Sequence, residues 1–190
     1  MNEELDQIEK NQNWELVPRP ANKNIVGTKW ALKNKFNESG KVIRNKARLV
    51  CKGYAQVEGV DFEETFAPLA RLEAIRMFLA FSCYKNFKVY QMDVNSAFLN
   101  RKLEEEVYIE QPKDFLLSEN RDYVCKLKKE LYGLKQAPRA WFSRLDNYLK
   151  QQGYKRGDTD SNLYMKIEYK NMIIVFVYVD DIIFESNLQY

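Results

Sequence analysis

Not one of the 190 residues is a histidine. That removes the commonest general base and every zinc-binding spacing that mixes His with Cys, so any catalysis must rest on carboxylates, Lys, Tyr, Cys or a metal ion. Cysteine is scarce too. Cys51, Cys83 and Cys125 are odd in number and widely spaced, which fits a reduced intracellular compartment. No run of about 18 apolar residues is present to span a bilayer, so no membrane partner is expected. The most apolar stretch, Met172 to Phe184, is short and carries Asp180 and Asp181 at its centre. The opening Met1-Asn2-Glu3-Glu4 is acidic and lacks the apolar core of a secretory signal. Repeats, low-complexity tracts and flexible linkers are also missing.

What is present is 45% hydrophobic and 14% aromatic, the composition of a folded domain, and 190 residues suffice for one core or one core with a small annex. Net charge is only +3 but unevenly spread. Residues 23 to 52 hold nine cations against Glu38 alone, a net +8, and residues 121 to 156 hold ten against Asp122, Glu130 and Asp146, a net +7. Two such blocks fit a surface facing a polyanion, or cations scattered over several solvated faces.

Periodicity gives an α+β reading. Residues 3 to 13 fit a short helix with Leu5 and Ile8 inward, followed by breaks at Pro18 and Pro20. Val26 to Phe36 alternates, with Trp30, Leu32 and Phe36 on one side and Lys29, Ala31, Lys33 and Lys35 on the other. The turn Asn37-Glu38-Ser39-Gly40 leads into a second strand, Lys41 to Lys52, completing a long hairpin. Lys46 and Arg48 share one face there, with Leu49 and Cys51 facing away, so the hairpin reads as a phosphate-gripping flap. A helix is predicted over 69–84, with Leu72, Ile75, Leu79 and Cys83 as its apolar stripe. Strands are predicted at 87–93, 107–110, 123–127 and 163–167, and a helical turn at 95–99. A helix over 138–152 has Pro138 near its start, Trp141, Leu145, Tyr148 and Leu149 as its stripe, and Gly153 as its stop.

Two β-prone runs, Ile173 to Val177 and Ile182 to Phe184, flank Tyr178-Val179-Asp180-Asp181, so two adjacent carboxylates sit at a hairpin tip. Like charges at the junction of apolar strands are costly unless something cationic offsets them, and a metal site would do so, although Asp is common in ordinary turns. Asp93 ends another apolar strand in Tyr90-Gln91-Met92-Asp93. Taken alone its pattern favours a helix N-cap, serving Ser96 or Ala97. Placed beside a strand bearing two more carboxylates, it would complete a two-cation site suited to Mg²⁺.

Five segments occur in order: Lys46-Ala47-Arg48-Leu49-Val50-Cys51-Lys52-Gly53; Glu64-Thr65-Phe66-Ala67-Pro68; Gln91-Met92-Asp93-Val94-Asn95-Ser96-Ala97-Phe98-Leu99; Leu131-Tyr132-Gly133-Leu134-Lys135-Gln136-Ala137-Pro138-Arg139-Ala140-Trp141; and Tyr178-Val179-Asp180-Asp181. Together they closely resemble the reverse transcriptase domain of copia-type retrotransposon Gag-Pol polyproteins, over nearly the whole chain from about Trp14 to Phe184. The resemblance implies an RNA-directed DNA polymerase, with RNA or DNA template, a primer and deoxynucleoside triphosphates as partners. It implies the fingers and palm of a right-hand polymerase: a lead-in over 1–24, a fingers hairpin over 25–68, and over 69–190 a palm whose antiparallel sheet is backed by helices. Asp93, Asp180 and Asp181 match its metal-holding carboxylates, the last contributing less directly. Two Mg²⁺ ions are implied, with Mn²⁺ as the alternative. Phe98 matches the aromatic residue that crowds the sugar 2′-hydroxyl, although pattern alone favours a core Phe. Tyr178 belongs to the same nucleotide site. Lys46 and Arg48 match the grip on the incoming triphosphate, with Lys33 or Lys35 as possible sharers. The segment Gly133 to Pro138 matches the one under the templating base, and Lys135, Gln136, Pro138 and Arg139 would lie against template or primer.

Arg101, Lys113-Asp114, Glu185 and Ser186 depart from the family, which has Gly, Pro-Gly, a small residue and Gly at those turn positions. Family polymerases also continue past the hairpin into a thumb and a ribonuclease H domain, which lie outside this sequence, as expected of either a truncated copy or an excerpt of a longer polyprotein. The expected result is negligible processive synthesis by this chain, because phosphate contacts supply much of nucleic-acid affinity. Two other outcomes stay open: a catalytically inactive remnant that retains nucleic-acid binding, and a plain RNA-binding module. The implied setting is the cytoplasm, within virus-like particles. Oligomeric state leaves no mark on the sequence.

Overall fold

The computed structural model describes residues 1–94, 97–100, 103–115 and 122–187. Asn95, Ser96 and Arg101, singled out above, lie outside the described residues, as does the side chain of Asp114. The architecture is α+β, and the chain divides into two compact units. One comprises Met1–Thr65 with Phe98–Ala137, the other Phe66–Ala97 with Pro138–Tyr190.

In the first unit the amphipathic N-terminal run forms α1 (Asn2–Lys10), with Ile8 fully buried. Strands β1 (Trp14–Pro18), β2 (Ile25–Val26), β6 (Tyr108–Ile109) and β7 (Tyr123–Leu127) form one sheet in the order β1-β7-β6-β2. Only β2 and β6 in it are parallel. Strand β1 was not expected from the sequence. It forms because Trp14 and Leu16 pack against the core while its backbone pairs Trp14 with Leu127 and Pro18 with Tyr123. That core includes Val26, Leu49, Val107, Ile109, Leu127 and Leu131.

The predicted hairpin is a separate ribbon of β3 (Thr28–Phe36) and β4 (Val42–Cys51). At its base Leu49 and Cys51 are buried, but Leu32 is 70% and Phe36 59% exposed. The apolar alternation therefore does not mark burial along the outer part, where none of the described residues forms a third layer over the ribbon. Two backbones meet tightly at its base. A Cβ on Gly53 would lie 2.0 Å from the Gly133 carbonyl oxygen, and one on Gly133 would lie 2.3 Å from the Cys51 carbonyl oxygen. The Cys51 amide donates to the Tyr132 carbonyl at 2.7 Å across that contact. Burial pushes the Cys51 thiol up to about 12, so it stays a neutral packing group.

In the second unit, β5 (Lys88–Asp93), β8 (Lys155–Arg156), β9 (Leu163–Glu168), β10 (Asn171–Tyr178) and β11 (Asp181–Ser186) form an antiparallel sheet in the order β5-β11-β10-β9-β8. Helix α2 (Leu72–Lys85) covers one face, with Phe78 against Phe176, Leu163 and Ile183. Its buried stripe is not the predicted one: Leu72, Leu79 and Cys83 are exposed, and Phe78 and Ser82 are buried. The helix is apolar on nearly every side, so the sheet it meets selects the face, and the aromatic ring wins. Helix α3 (Ala137–Gln151) buries Trp141, Leu145 and Leu149, with Tyr148 56% exposed. Its Asp146 accepts from the Tyr164 hydroxyl at 2.9 Å and from Lys150 at 2.7 Å. Tyr164 pairs with Val175, whose side chain points away from the Phe176 face, so α2 and α3 lie on opposite faces.

Glu185 stands inside this sheet, fully buried, and burial raises its carboxyl from 4.5 to about 7. Below pH 4.5 the acid is protonated both folded and unfolded. As pH rises from 4.5 to about 7 the unfolded chain loses its proton first, so this group subtracts stability progressively, and by a constant amount above about 7. The loss is on the order of 3 kcal/mol. Urea denaturation at pH 4.5 and pH 8 should therefore show a stability fall in the native chain that Glu185→Gln largely removes.

Candidate active site

Asp93 closes β5 and Asp181 opens β11, and the antiparallel register sets the two directly opposite each other. Opposed residues share a sheet face, so both carboxylates project to one side, with Gln91 of β5. The Gln91 amide donates to Asp181 Oδ1 at 3.2 Å. Asp93 is exposed, and Asp180 and Asp181 are half-buried. Among the described residues no ion pair involves any of the three. Like charges directly opposite on a sheet are destabilising, and among the described residues no ion pair offsets them.

Tyr178 pairs with Asp181, so β10 and β11 are joined by the two residues Val179 and Asp180. Short hairpin loops of this kind need a positive φ at their first central position, which favours Gly, Asn or Asp. Here Val179 supplies it, at φ 56, a conformation costly to a β-branched residue. Such strain persists where neighbours over-determine the backbone. The Trp141 indole N–H of α3 donates to the Val179 carbonyl at 2.7 Å, and the Val94 amide donates to the Asp180 carbonyl at 2.9 Å. The tip carrying Asp180 is thus tied to the helix on one side and to the strand of Asp93 on the other. The apolar stripe found Trp141, but nothing in the sequence marks its indole as a support of the turn.

Among the described residues no three Asp, Glu or Cys side chains converge closely enough to cage a metal ion. Mg²⁺ does not demand such a cage: it commonly takes one or two carboxylates, keeps waters and completes its shell with substrate phosphate. Two opposed, uncompensated carboxylates with a third one residue away are hard oxygen donors of that kind, and they fit the ion.

The remaining predicted residues divide as follows. Tyr178, 45% exposed, stands at the tip beside Asp181. In the first unit, Lys33 faces Lys46, Lys35 faces Arg44 and Ala31 faces Arg48 across the ribbon, so the cations form one continuous face. Arg48 stacks its guanidinium 4.7 Å from the Tyr132 ring centroid, and Phe98 meets the same ring edge-on at 5.1 Å. The carboxyl of Glu4, raised chiefly by burial, is also under the attraction of Arg48 and Lys46. Gly133 has φ +89 and makes its close approach to the backbone of β4. Gln136 is buried and internal, accepting from the Gln56 amide at 3.0 Å and donating to the Asp61 carbonyl at 3.2 Å. Lys135 is exposed, with its ammonium 3.3 Å from the Gln56 carbonyl and over the Phe62 ring. In the second unit, Pro138 is an exposed first-turn residue of α3, and Arg139 donates to the Phe66 carbonyl at 3.5 Å.

A profile of the family described as "Reverse transcriptase (RNA-dependent DNA polymerase)" matches residues 11–189. The chain is 42% identical over 188 residues to the retrovirus-related Pol polyprotein from transposon RE1 of Arabidopsis thaliana, covering 98% of this chain and 13% of that protein. It is equally 42% identical over 184 residues to the Pol polyprotein from transposon TNT 1-94 of Nicotiana tabacum, covering 96% and 14%. Similarity extends to the transposon Ty1-DR4 Gag-Pol polyprotein of Saccharomyces cerevisiae, 28% identical over 145 residues, covering 76% of this chain and 9% of that protein. The chain thus spans about a seventh or less of the length of each of these relatives.

Proposed function

Since the chain belongs to the reverse transcriptase (RNA-dependent DNA polymerase) family of copia-type retrotransposon Pol polyproteins, we propose that its acidic hairpin is the nucleotidyl-transfer centre of such a polymerase. One observation carries this reading. Asp93 and Asp181 oppose each other in register on one sheet face, with Asp180 in the adjoining turn, and among the described residues none of the three is in an ion pair. In this reading the five-stranded antiparallel sheet is the palm and the β3–β4 ribbon belongs to the fingers.

Asp93, Asp180 and Asp181 would hold two Mg²⁺ ions, with Mn²⁺ as the alternative. Bound there, the ions would activate a primer 3′-hydroxyl and stabilise charge on the departing pyrophosphate. The chain's own contribution is to keep three oxygen donors at one tip, which it does through Trp141 and Val94. Gln91, by donating to Asp181 Oδ1, would leave the other carboxylate oxygen available to an ion. Tyr178 stands beside that tip as a surface for the nucleotide.

In the first unit, the cationic face of the ribbon, with Lys46 and Arg48, has the chemistry to bind triphosphate oxygens. Arg48 is pre-oriented by its stacking on Tyr132, and Phe98 braces the same ring. Phe98 is the proposed sensor of the sugar 2′-hydroxyl. Lys135, Pro138 and Arg139 are proposed to lie against template or primer. Gly133 and Gln136 act by fixing the backbone that carries Lys135. The proposed substrates are a primed RNA or DNA template and deoxynucleoside triphosphates, and the proposed setting is a cytoplasmic virus-like particle.

The test is single-nucleotide extension of a short primed RNA template with all four deoxynucleotides. It is run with Mg²⁺, with chelator, and with Asp180→Asn in place of the native chain. Incorporation that needs the metal and is lost in the variant supports the reading. A folded chain that binds the primed template but adds no nucleotide would instead favour a catalytically inactive remnant.

A further inference from the structure

Between α2 and the sheet lies a cavity of about 520 Å³. Met77, Phe78 and Phe81 line it from the helix, and Ile174 and Phe176 from β10, so its wall is mostly apolar. Into this wall the chain places acids. Glu185 is 0% exposed, and neither of its carboxylate oxygens has a hydrogen-bond partner. Asp160, also in the lining, accepts from the Asn162 amide through Oδ1 at 2.8 Å, while its Oδ2 is shut off from solvent and accepts nothing. Among the described residues no ion pair involves either side chain. Arg71, at the same cavity, is exposed and likewise in no ion pair.

Buried polar atoms are ordinarily satisfied, and a buried carboxylate without donor or cation is the costliest exception. Here three acceptor oxygens lie unsatisfied around one apolar space whose size falls in the roughly 300–1,000 Å³ range of small-molecule sites. A neutral hydrocarbon would fill the space and leave the acids unmet, and an anion would be repelled. An apolar body with one protonated nitrogen meets both demands, because a charge-assisted bond to the carboxylate replaces the missing partner. We propose that this cavity is a binding site for a small amphipathic amine, its apolar body against Phe78, Phe81 and Phe176 and its ammonium donating to Glu185. Asp160 adds a second negative charge to the wall. The site is separate from the acidic hairpin: Glu185 is four residues along β11 from Asp181, roughly 13 Å at strand spacing. It does not rest on the polymerase reading.

Three probes of one shape test it: 1-adamantanamine, 1-adamantanol and 1-adamantanecarboxylate, titrated calorimetrically into the full chain at pH 8. The amine should bind at least about tenfold more tightly than the alcohol, and the carboxylate should not bind. Glu185→Gln should erase the preference for the amine while keeping alcohol binding, and Asp93→Asn should leave all three unchanged. Should Glu185→Gln fail to fold, Asp160→Asn is the second variant, expected to narrow the preference. Equal affinity for amine and alcohol overturns the proposal, and it is the result expected if Arg71 turns inward to neutralise Glu185. A preference that survives Glu185→Gln, or no binding of any probe to the folded chain, overturns it too.

Discussion

Replacing Asp93 by Asn should lower single-nucleotide incorporation by at least about 1,000-fold without destabilising the chain. The two halves of that expectation come from the same geometry. Asp93 and Asp181 are register partners on one sheet face and, among the described residues, in no ion pair, so their charges repel across adjoining strands. An amide of nearly the same shape removes the repulsion, and stability should rise by roughly 0.2–1 kcal/mol. The same change removes one of the anionic donors a divalent ion would need. Primer extension and urea denaturation on one preparation measure both. A loss of activity accompanied by a matching loss of stability would mean that Asp93 serves the fold, as a helix cap would. Retained activity would remove Asp93 from the proposed centre altogether.

Gly133→Ala is the second large effect, and it acts on folding. The native residue sits at φ +89, where an L side chain is strained, and its new Cβ would press 2.3 Å from the Cys51 carbonyl oxygen and 2.6 Å from Val50 Cγ1. Backbone strain and overpacking each cost on the order of 1–3 kcal/mol, and here neither can relax cheaply, because one of the opposing atoms is main chain. The expected destabilisation is about 4 kcal/mol, a large share of a small domain's whole stability. A chain that melts within a degree or two of the native one would show that the two backbones separate more readily than this contact implies. Gly53→Ala, whose Cβ would meet the Gly133 carbonyl from the other side, should behave alike.

Much of this was legible in residue order, for physical reasons. Strand alternation placed Asp93, Asp180 and Asp181 at strand ends, and the apolar runs around them could hardly fold otherwise. The ribbon of β3 and β4 announced itself through period-two patterning and the turn at Asn37 to Gly40. Pairing partners were beyond reach, because register is a property of two segments and only one of them is visible in any window. That Asp181 faces Asp93, and that Trp141 reaches the Val179 carbonyl, came only with the fold. The burial face of α2 was misjudged because its apolar residues surround the axis. Strand β1 was passed over because prolines at 18 and 20 suggested a break, whereas Pro18 sits at a strand's last residue, where no further pairing is needed. Gly133 was legible as part of the segment matched to the one under the templating base, but its close approach to the backbone of β4 came only with the fold.

The ribbon of β3 and β4 has a consequence for anyone handling the protein. One side of it is lined by Lys33, Lys35, Arg44 and Lys46, while Leu32, Phe36 and Ile43 stand 70%, 59% and 64% exposed. Low salt strengthens the attraction of the first group for any stray polyanion, so purified material should carry host RNA. Strongly excluded salts such as sulfate, chosen to strip that RNA, strengthen association of the second group. The two demands pull the buffer in opposite directions. A clean, monodisperse sample therefore calls for a weakly structuring salt such as sodium chloride, or for a nuclease in place of salt.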